Sequence, residues 1–422
     1  MHGTAWRSRL AGVVVVAMAA ALAACGGDDG SSGSGGEPAG GGGEAGAIRV
    51  AVLANVTGNL LSGEENAPPV VEAWAEAVNA EGGVAGRPVE IVVEDTKGDA
   101  PTATAAVERL VADDSIAALV VFDAATEGLV ADAINAAELP VIGGMGYATN
   151  AWGAAPNWFP LTTSIPSIFN MGMVLGEDLG ARRTALTVCA EIAGCAEAGA
   201  VAEQASEALD MDYTGTLPVS AAAPDFTAEC LQILERDVDY VMLGAATAAA
   251  ALRLAADCTT QGYEGAWGLW GGVVVPKAMR EDDPGVELHL VVNSFPWFGD
   301  EPAVVAYREV MEGEGVDEAV YGDPHATAAY ATMELFRKTL DARDEAGDIE
   351  GDVGRDEVLA AYGTIADEDL DGLLAQPVTF TPGEPAAPVT CYWFGRFEGG
   401  EFSDPSGPHC DPASLAAASS SG

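Results

Sequence analysis

The stretch "IRVAVLANVTGNLLSGEENAPPVVEAWAEAVNAEGGVAGRPVEIVVED" (residues 48–95) reads as strand, helix, strand. Its first seven residues, "IRVAVLA" (48–54), form a strand. Residues 67–80 then place Val70, Val71, Trp74, Ala77 and Val78 on one helical face, and Gly82-Gly83 stop the helix. "PVEIVVED" (88–95) is the next strand. The alternation continues through a helix over about 101–112, "IAALVVF" (116–122), a helix to 137 and "LPVIGG" (139–144). Strands and helices alternating at this spacing make βαβ units, and hence a parallel sheet covered by helices on both faces.

After an irregular aromatic segment, "NAWGAAPNWFP" (150–160), the rhythm restarts. "RTALTVC" (183–189), a helix over about 196–209, "YTGTLPV" (213–219), a helix around 228–234, "VDYVMLG" (238–244), a helix over 246–261, "GAWGLW" (265–270) and "VELHLVV" (286–292) describe a second α/β lobe. Helical stretches follow at 304–311, 326–343 and 356–362, and the chain closes on two strand-like runs, "PVTFTP" (377–382) and "VTCYWFG" (389–395). The expected fold class is therefore α/β, with two Rossmann-like lobes.

The N-terminus has the layout of an export signal. Arg7 and Arg9 precede an uncharged run from Leu10 to Ala24 that is too short and Ala-rich for a spanning helix. "LAAC" (22–25) resembles the bacterial lipoprotein box, which implies cleavage after 24 and a lipid on Cys25. After Cys25, residues 26–46 are Gly, Ser, Asp and Glu with two Ala and one Pro, the composition of a flexible tether. Export suits the remaining cysteines. Cys189, Cys195, Cys230, Cys258, Cys391 and Cys410 are even in number, and pairing between sequence neighbours is expected. The formal net charge is −47, which repels phosphate backbones and anionic headgroups. Nucleic-acid binding is thus disfavoured, and the membrane is held by lipid alone.

Residues 48–114 resemble the opening of solute-binding proteins of ABC importers, of the Leu/Ile/Val-binding type. The marks are Thr57-Gly58, Ser62-Gly63-Glu64, Asn79-Ala80, Gly82-Gly83-Val84, Gly86-Arg87-Pro88 and Glu94-Asp95. Residues 377–402 resemble the same family's end, with "DFTAECLQIL" (225–234) and "HATAAYATMELFRKTL" (325–340) agreeing in kind and order. The resemblance implies the type I periplasmic-binding fold, with one lobe of 47–162 plus 296–375 and another of 163–295 plus 376–412. A three-segment hinge is expected near 158–164, 293–298 and 376–382, and a disordered tail over 413–422. It further implies a monomer that takes a small-molecule ligand, an amino acid or related compound, in the interlobe cleft and delivers it to ABC permease subunits. No enzyme activity, cofactor or metal is expected. The alternative is a ligand-sensing lipoprotein signalling to a membrane receptor.

By the same resemblance the ligand loops are 59–63, 123–126 and 145–147. They offer Ser62, Asp123, Ala124, Thr126, Met145 and Tyr147 from the first lobe, and Ala246 and Trp270 from the second. Several of these depart from the family. Ala124 stands where serine is usual, Cys195 and Ala246 where tyrosines are, and the acid expected after Trp270 is replaced by Gly271-Gly272. An ammonium buried without a carboxylate is costly, and Asp123 is the substitute on offer. Tyr147 and Trp270 would stack on a flat or apolar solute. "DEDLDG" (367–372) begins like a calcium loop, but its twelfth position is Val378 instead of a bidentate Glu. His289, inside an apolar strand, is read as a core residue, and no nucleophile elbow or P-loop occurs.

Overall fold

A computed structural model of the chain describes residues 46–58, 63–162, 165–190, 198–245 and 247–410. The expected signal peptide, Cys25 and its spacer, Ser62, Cys195, Ala246 and the tail lie outside the described residues.

The first sheet is built from β1 (Ile48–Ala54), α1 (Ala67–Ala80), β2 (Val89–Asp95), α2 (Ala100–Ala112), β3 (Ile116–Phe122), α3 (Glu127–Ala136), β4 (Val141–Ile142), α4 (Thr149–Trp152) and β5 (Trp158–Phe159). Its order is β2-β1-β3-β4-β5, all parallel. Every residue of β3 is buried, as expected of a central parallel strand covered on both faces, whereas β2 at the edge stays partly exposed.

The second sheet begins with α5 (Ile165–Asp178), followed by β6 (Arg183–Cys189), α6 (Ala198–Ala208), β7 (Asp212–Val219), α7 (Thr227–Glu235), β8 (Tyr240–Leu243), α8 (Ala248–Thr260), β9 (Ala266–Trp270), α9 (Pro276–Glu281) and β10 (Leu288–Val292). The chain then adds α10 (Pro302–Gly313), α11 (Glu318–Tyr321), α12 (Pro324–Glu345) and α13 (Arg355–Tyr362), with α10, α11 and α12 packed on α1 and α13 on β3. It ends in the hairpin β11 (Cys391–Glu398) and β12 (Glu401–Cys410). The second sheet runs β12-β11-β10-β9-β8-β6-β7, and its first five strands in the chain are parallel. Counted from its own first strand, each sheet therefore carries the same parallel order, 2-1-3-4-5. The chain crosses between the two sheets three times: after Phe159, after Val292 and between Tyr362 and Cys391.

Several features differ from expectation. Residues 377–382 are not a strand. Val378 makes only an isolated bridge to Glu368, and Pro382, Pro385 and Pro388 supply no N–H to a ladder. β12 forms despite Pro405 and Pro408 because it lies at the sheet edge, where missing donors are tolerated. α5 forms despite Gly172 and Gly176, which admit the sheet: a Cβ on either would meet Met242 or the Tyr240 ring within 2.8 Å. His289 is no satisfied core residue; it is half-buried beside Glu287, Nε2 to Oε1 3.2 Å. The acidic "DEDLDG" stretch supplies Glu368 to Lys338, at 2.8 Å.

Two expected disulfides are present. Cys230–Cys258 ties α7 to α8, and Cys391–Cys410 closes the terminal hairpin. Cys189 is also disulfide-bonded, but Cys195 lies outside the described residues.

Candidate functional site

A sheet of order 2-1-3-4-5 reverses direction between its first and third strands, and loops leaving their carboxyl ends open a crevice there. In the first sheet this switch point lies beyond β1 and β3. Three buried acids organise its loops, Glu64 and Glu127 by joining separate segments and Asp123 within its own turn. Glu64 accepts from the Ala124 N–H at 2.7 Å and from Asn55 Nδ2 at 3.1 Å, tying the loop after β1 to the loop after β3. Glu127, at the start of α3, accepts from the Tyr147 and Ala148 N–H groups at 3.3 and 3.0 Å, which fixes the loop after β4. Asp123 accepts from the Ala125 and Thr126 N–H groups, both at 3.1 Å, and from the Thr126 hydroxyl.

These bonds give part of the expected ligand set partners within the chain. Asp123 and Thr126 are 0% and 1% exposed and bonded to each other, so this geometry makes them organisers of their own turn. Ala124 contributes its N–H to Glu64. Met145 is fully buried, its N–H on the Val121 carbonyl and its own carbonyl accepting from the Thr162 hydroxyl. The preceding "GG" is demanded by close approach. Gly143 and Gly144 have positive φ, and a Cβ on them would strike Thr332 and the Val121 carbonyl.

Burial governs the acid–base character of the cluster. With no basic side chain bonded to it, the Glu64 carboxyl is pushed up to about 8 by burial, although His325 opposes the shift. Glu127 is pushed up to about 7 by burial, with the nearby Asp123 charge adding to it. Burial acts to lower the His325 imidazole, but the charge and hydrogen bond of Asp323 outweigh this, with Glu64 and Glu65 adding, and hold it above its ordinary range. Asp323 caps α12: its Oδ1 accepts from the His325 N–H at 2.8 Å and meets His325 Nδ1 at 2.9 Å. On the other side of the imidazole, Nε2 lies 3.4 Å from the Tyr147 hydroxyl.

Tyr147 in turn reaches the second sheet. Its ring stands 6.2 Å from that of Trp270, the last residue of β9, and Trp270 stands 5.8 Å from Phe169 of α5. The two aromatic residues expected at the cleft are therefore brought together from opposite sheets. Glu64, Glu127, Asp323 and His325 were not foreseen. Glu64 and Glu65 look alike in sequence, yet one is 1% exposed and the other is exposed. "DPH" (323–325) did carry a readable signal, a capping Asp before a Pro at the first helical turn.

Residues 47–401 match the family described as periplasmic binding protein, and the chain belongs to that family. It has the type I periplasmic-binding fold. No curated protein sequence matches it. Among solved structures, a branched-chain amino acid ABC transporter protein from Thermus thermophilus with bound valine is 16% identical with a TM-score of 0.74, covering 88% of this chain and 98% of that one. A fatty acid ABC transporter substrate-binding protein from Thermomonospora curvata is 18% identical, TM-score 0.71, over 88% and 94%. A solute-binding protein of an ABC transporter from Rhodopseudomonas palustris, in complex with p-hydroxybenzoic acid, is 15% identical, TM-score 0.71, over 87% and 99%.

Proposed function

We propose that this protein captures a small organic solute between the carboxyl edges of its two sheets and delivers it to an ABC importer, held at the outer face of the membrane by lipid on Cys25. The observation that carries the reading is the contact of Tyr147 with Trp270, which joins the carboxyl edges of two sheets of matching strand order. Three crossings connect those sheets, and segments of this kind serve as hinges for closure around a ligand. The family is extracytoplasmic, in keeping with the export signal and the disulfides. Valine, fatty acids and p-hydroxybenzoate, named for the structural relatives, set the size class of solute.

A thermal-shift screen of amino acids, amides, short peptides and aromatic acids tests the proposal. A solute that binds only the folded protein stabilises it by about 2.7 kcal/mol at a hundred times Kd, so a true ligand raises the melting temperature as a function of its concentration. Failure of every solute in a broad screen would sink the reading. Turnover of any solute would point instead to an enzyme.

A further inference from the structure

Strands β9 and β10 are neighbours, with Trp270 paired to Val291, so Trp270 and Asn293 stand side by side at the carboxyl edge of the second sheet. A methyl group on Gly271 would collide with the Asn293 amide oxygen. Trp270 and Asn293 are 7% and 2% exposed, yet Trp270 Nε1, Asn293 Nδ2 and Asn293 Oδ1 have no hydrogen-bond partner among the described residues. Asn293 also lies beside the Tyr147 hydroxyl and acts on it as a hydrogen-bonding group, at a geometry short of a formed hydrogen bond. Buried polar groups are almost always paired, and three orphans at one edge call for a partner from outside the chain.

We propose that the cleft recognises a carboxamide group of its solute, a primary amide or a lactam, through Trp270 Nε1 and both ends of the Asn293 amide. This deepens the solute-binding reading and rests on it. The orphan set is two N–H donors and one acceptor, and it is unchanged if the Asn293 amide is flipped. An ammonium brings only donors and leaves Trp270 and Asn293 Nδ2 unmet. A carboxylate brings only acceptors and leaves Asn293 Oδ1 unmet. A lone hydroxyl cannot reach both ends of the Asn293 fork. A planar carboxamide meets that fork with two parallel bonds, and its carbonyl keeps a second lone pair for Trp270. The rings of Tyr147, Trp270 and Phe169 supply an apolar surround for the body of the solute.

Calorimetric titration of the full chain with benzamide, benzoate, benzylamine and N,N-dimethylbenzamide separates these cases, since one ring carries four different headgroups. Benzamide is expected to bind at least roughly tenfold more tightly than each of the others. Trp270→Phe keeps the ring and removes the donor, and Asn293→Leu removes the fork. Each is expected to weaken benzamide at least roughly fivefold without lowering the melting temperature of the free protein, because each deletes groups that had no partner. Benzoate matching benzamide, or benzamide affinity unchanged in both variants, overturns the proposal. Should benzamide fail while another solute in the broad screen shifts the melting temperature, the amide assignment falls and the solute-binding reading stands; should nothing shift it, both fall.

Discussion

At the first sheet's carboxyl edge, the buried acids Glu64 and Glu127 tie loop to loop by accepting backbone N–H groups, whereas around the second sheet the ties include covalent ones. All cysteines beyond Cys25 lie at 189 or later and none falls between 259 and 390, so the first sheet and its helices have no disulfide to draw on. The second sheet has Cys230–Cys258 between its helices and Cys391–Cys410 across its last hairpin. Two sheets of the same parallel order are thus tied by different chemistry, one that titrates and one that can be reduced. The difference extends to the ligand side. The first edge uses its polar groups on itself, and the second holds Trp270 and Asn293 in reserve.

The largest expected effect comes from breaking the covalent side. The Cys230→Ser, Cys258→Ser double substitution opens a loop with a sequence separation of 28 and should cost about 3–4 kcal/mol in the chain-entropy view, read as a lower urea midpoint. A cost near zero would mean that packing of α7 on α8 holds the region unaided. On the titrating side, Glu64→Ala leaves the Ala124 N–H and Asn55 Nδ2 without their acceptor, and we expect about 3 kcal/mol of lost stability together with loss of solute binding. If solute affinity survived, the loop after β1 would not shape the cleft.

A smaller effect follows from pH alone. Glu64 and Glu127 have folded pKa values of about 8 and about 7, above the ordinary value of 4.5, so the folded chain keeps protons that the unfolded chain releases. Their contribution is present below about 4.5 and is lost as pH rises through 7 and 8. His325 is raised above 6.5 and acts in the same direction. Stability should therefore fall between pH 5 and pH 8.5, and Glu64→Gln should flatten the decline in denaturation curves taken across that range. A profile that rises with pH would contradict the assignment. The smallest effect on folding is expected from Cys25→Ser, which should leave the melting temperature unchanged while releasing the protein from membranes. Its retention in the membrane fraction at high salt would rule out the lipid anchor.

How much of this was readable in advance depends on whether the deciding force is local. β1, β3 and β6 match their apolar runs residue for residue, because a parallel strand in the middle of a sheet must be apolar almost throughout. β12 and α5 were hidden by Pro and Gly, whose local cost is overridden by an edge position and by close helix-on-sheet packing. Among the site residues, Tyr147 showed itself as an aromatic in a loop and Trp270 as an aromatic at the carboxyl end of a strand. Glu64 and His325 did not, since an acid or imidazole looks the same in sequence whether it faces water or is sealed beneath a loop. Asn293 stands out because its amide has no formed hydrogen bond among the described residues, which no local pattern records.

The Tyr147–Trp270 contact also has an optical consequence. An indole held 6.2 Å from a phenol ring and shut away from water emits differently from one that water can reach. Trp270 is one of eight tryptophans, so subtracting the spectrum of Trp270→Phe from that of the native chain isolates its emission. Parting of the two sheets would separate the rings and shift that difference spectrum to longer wavelength, which gives the cleft a built-in reporter of its own opening with no label attached.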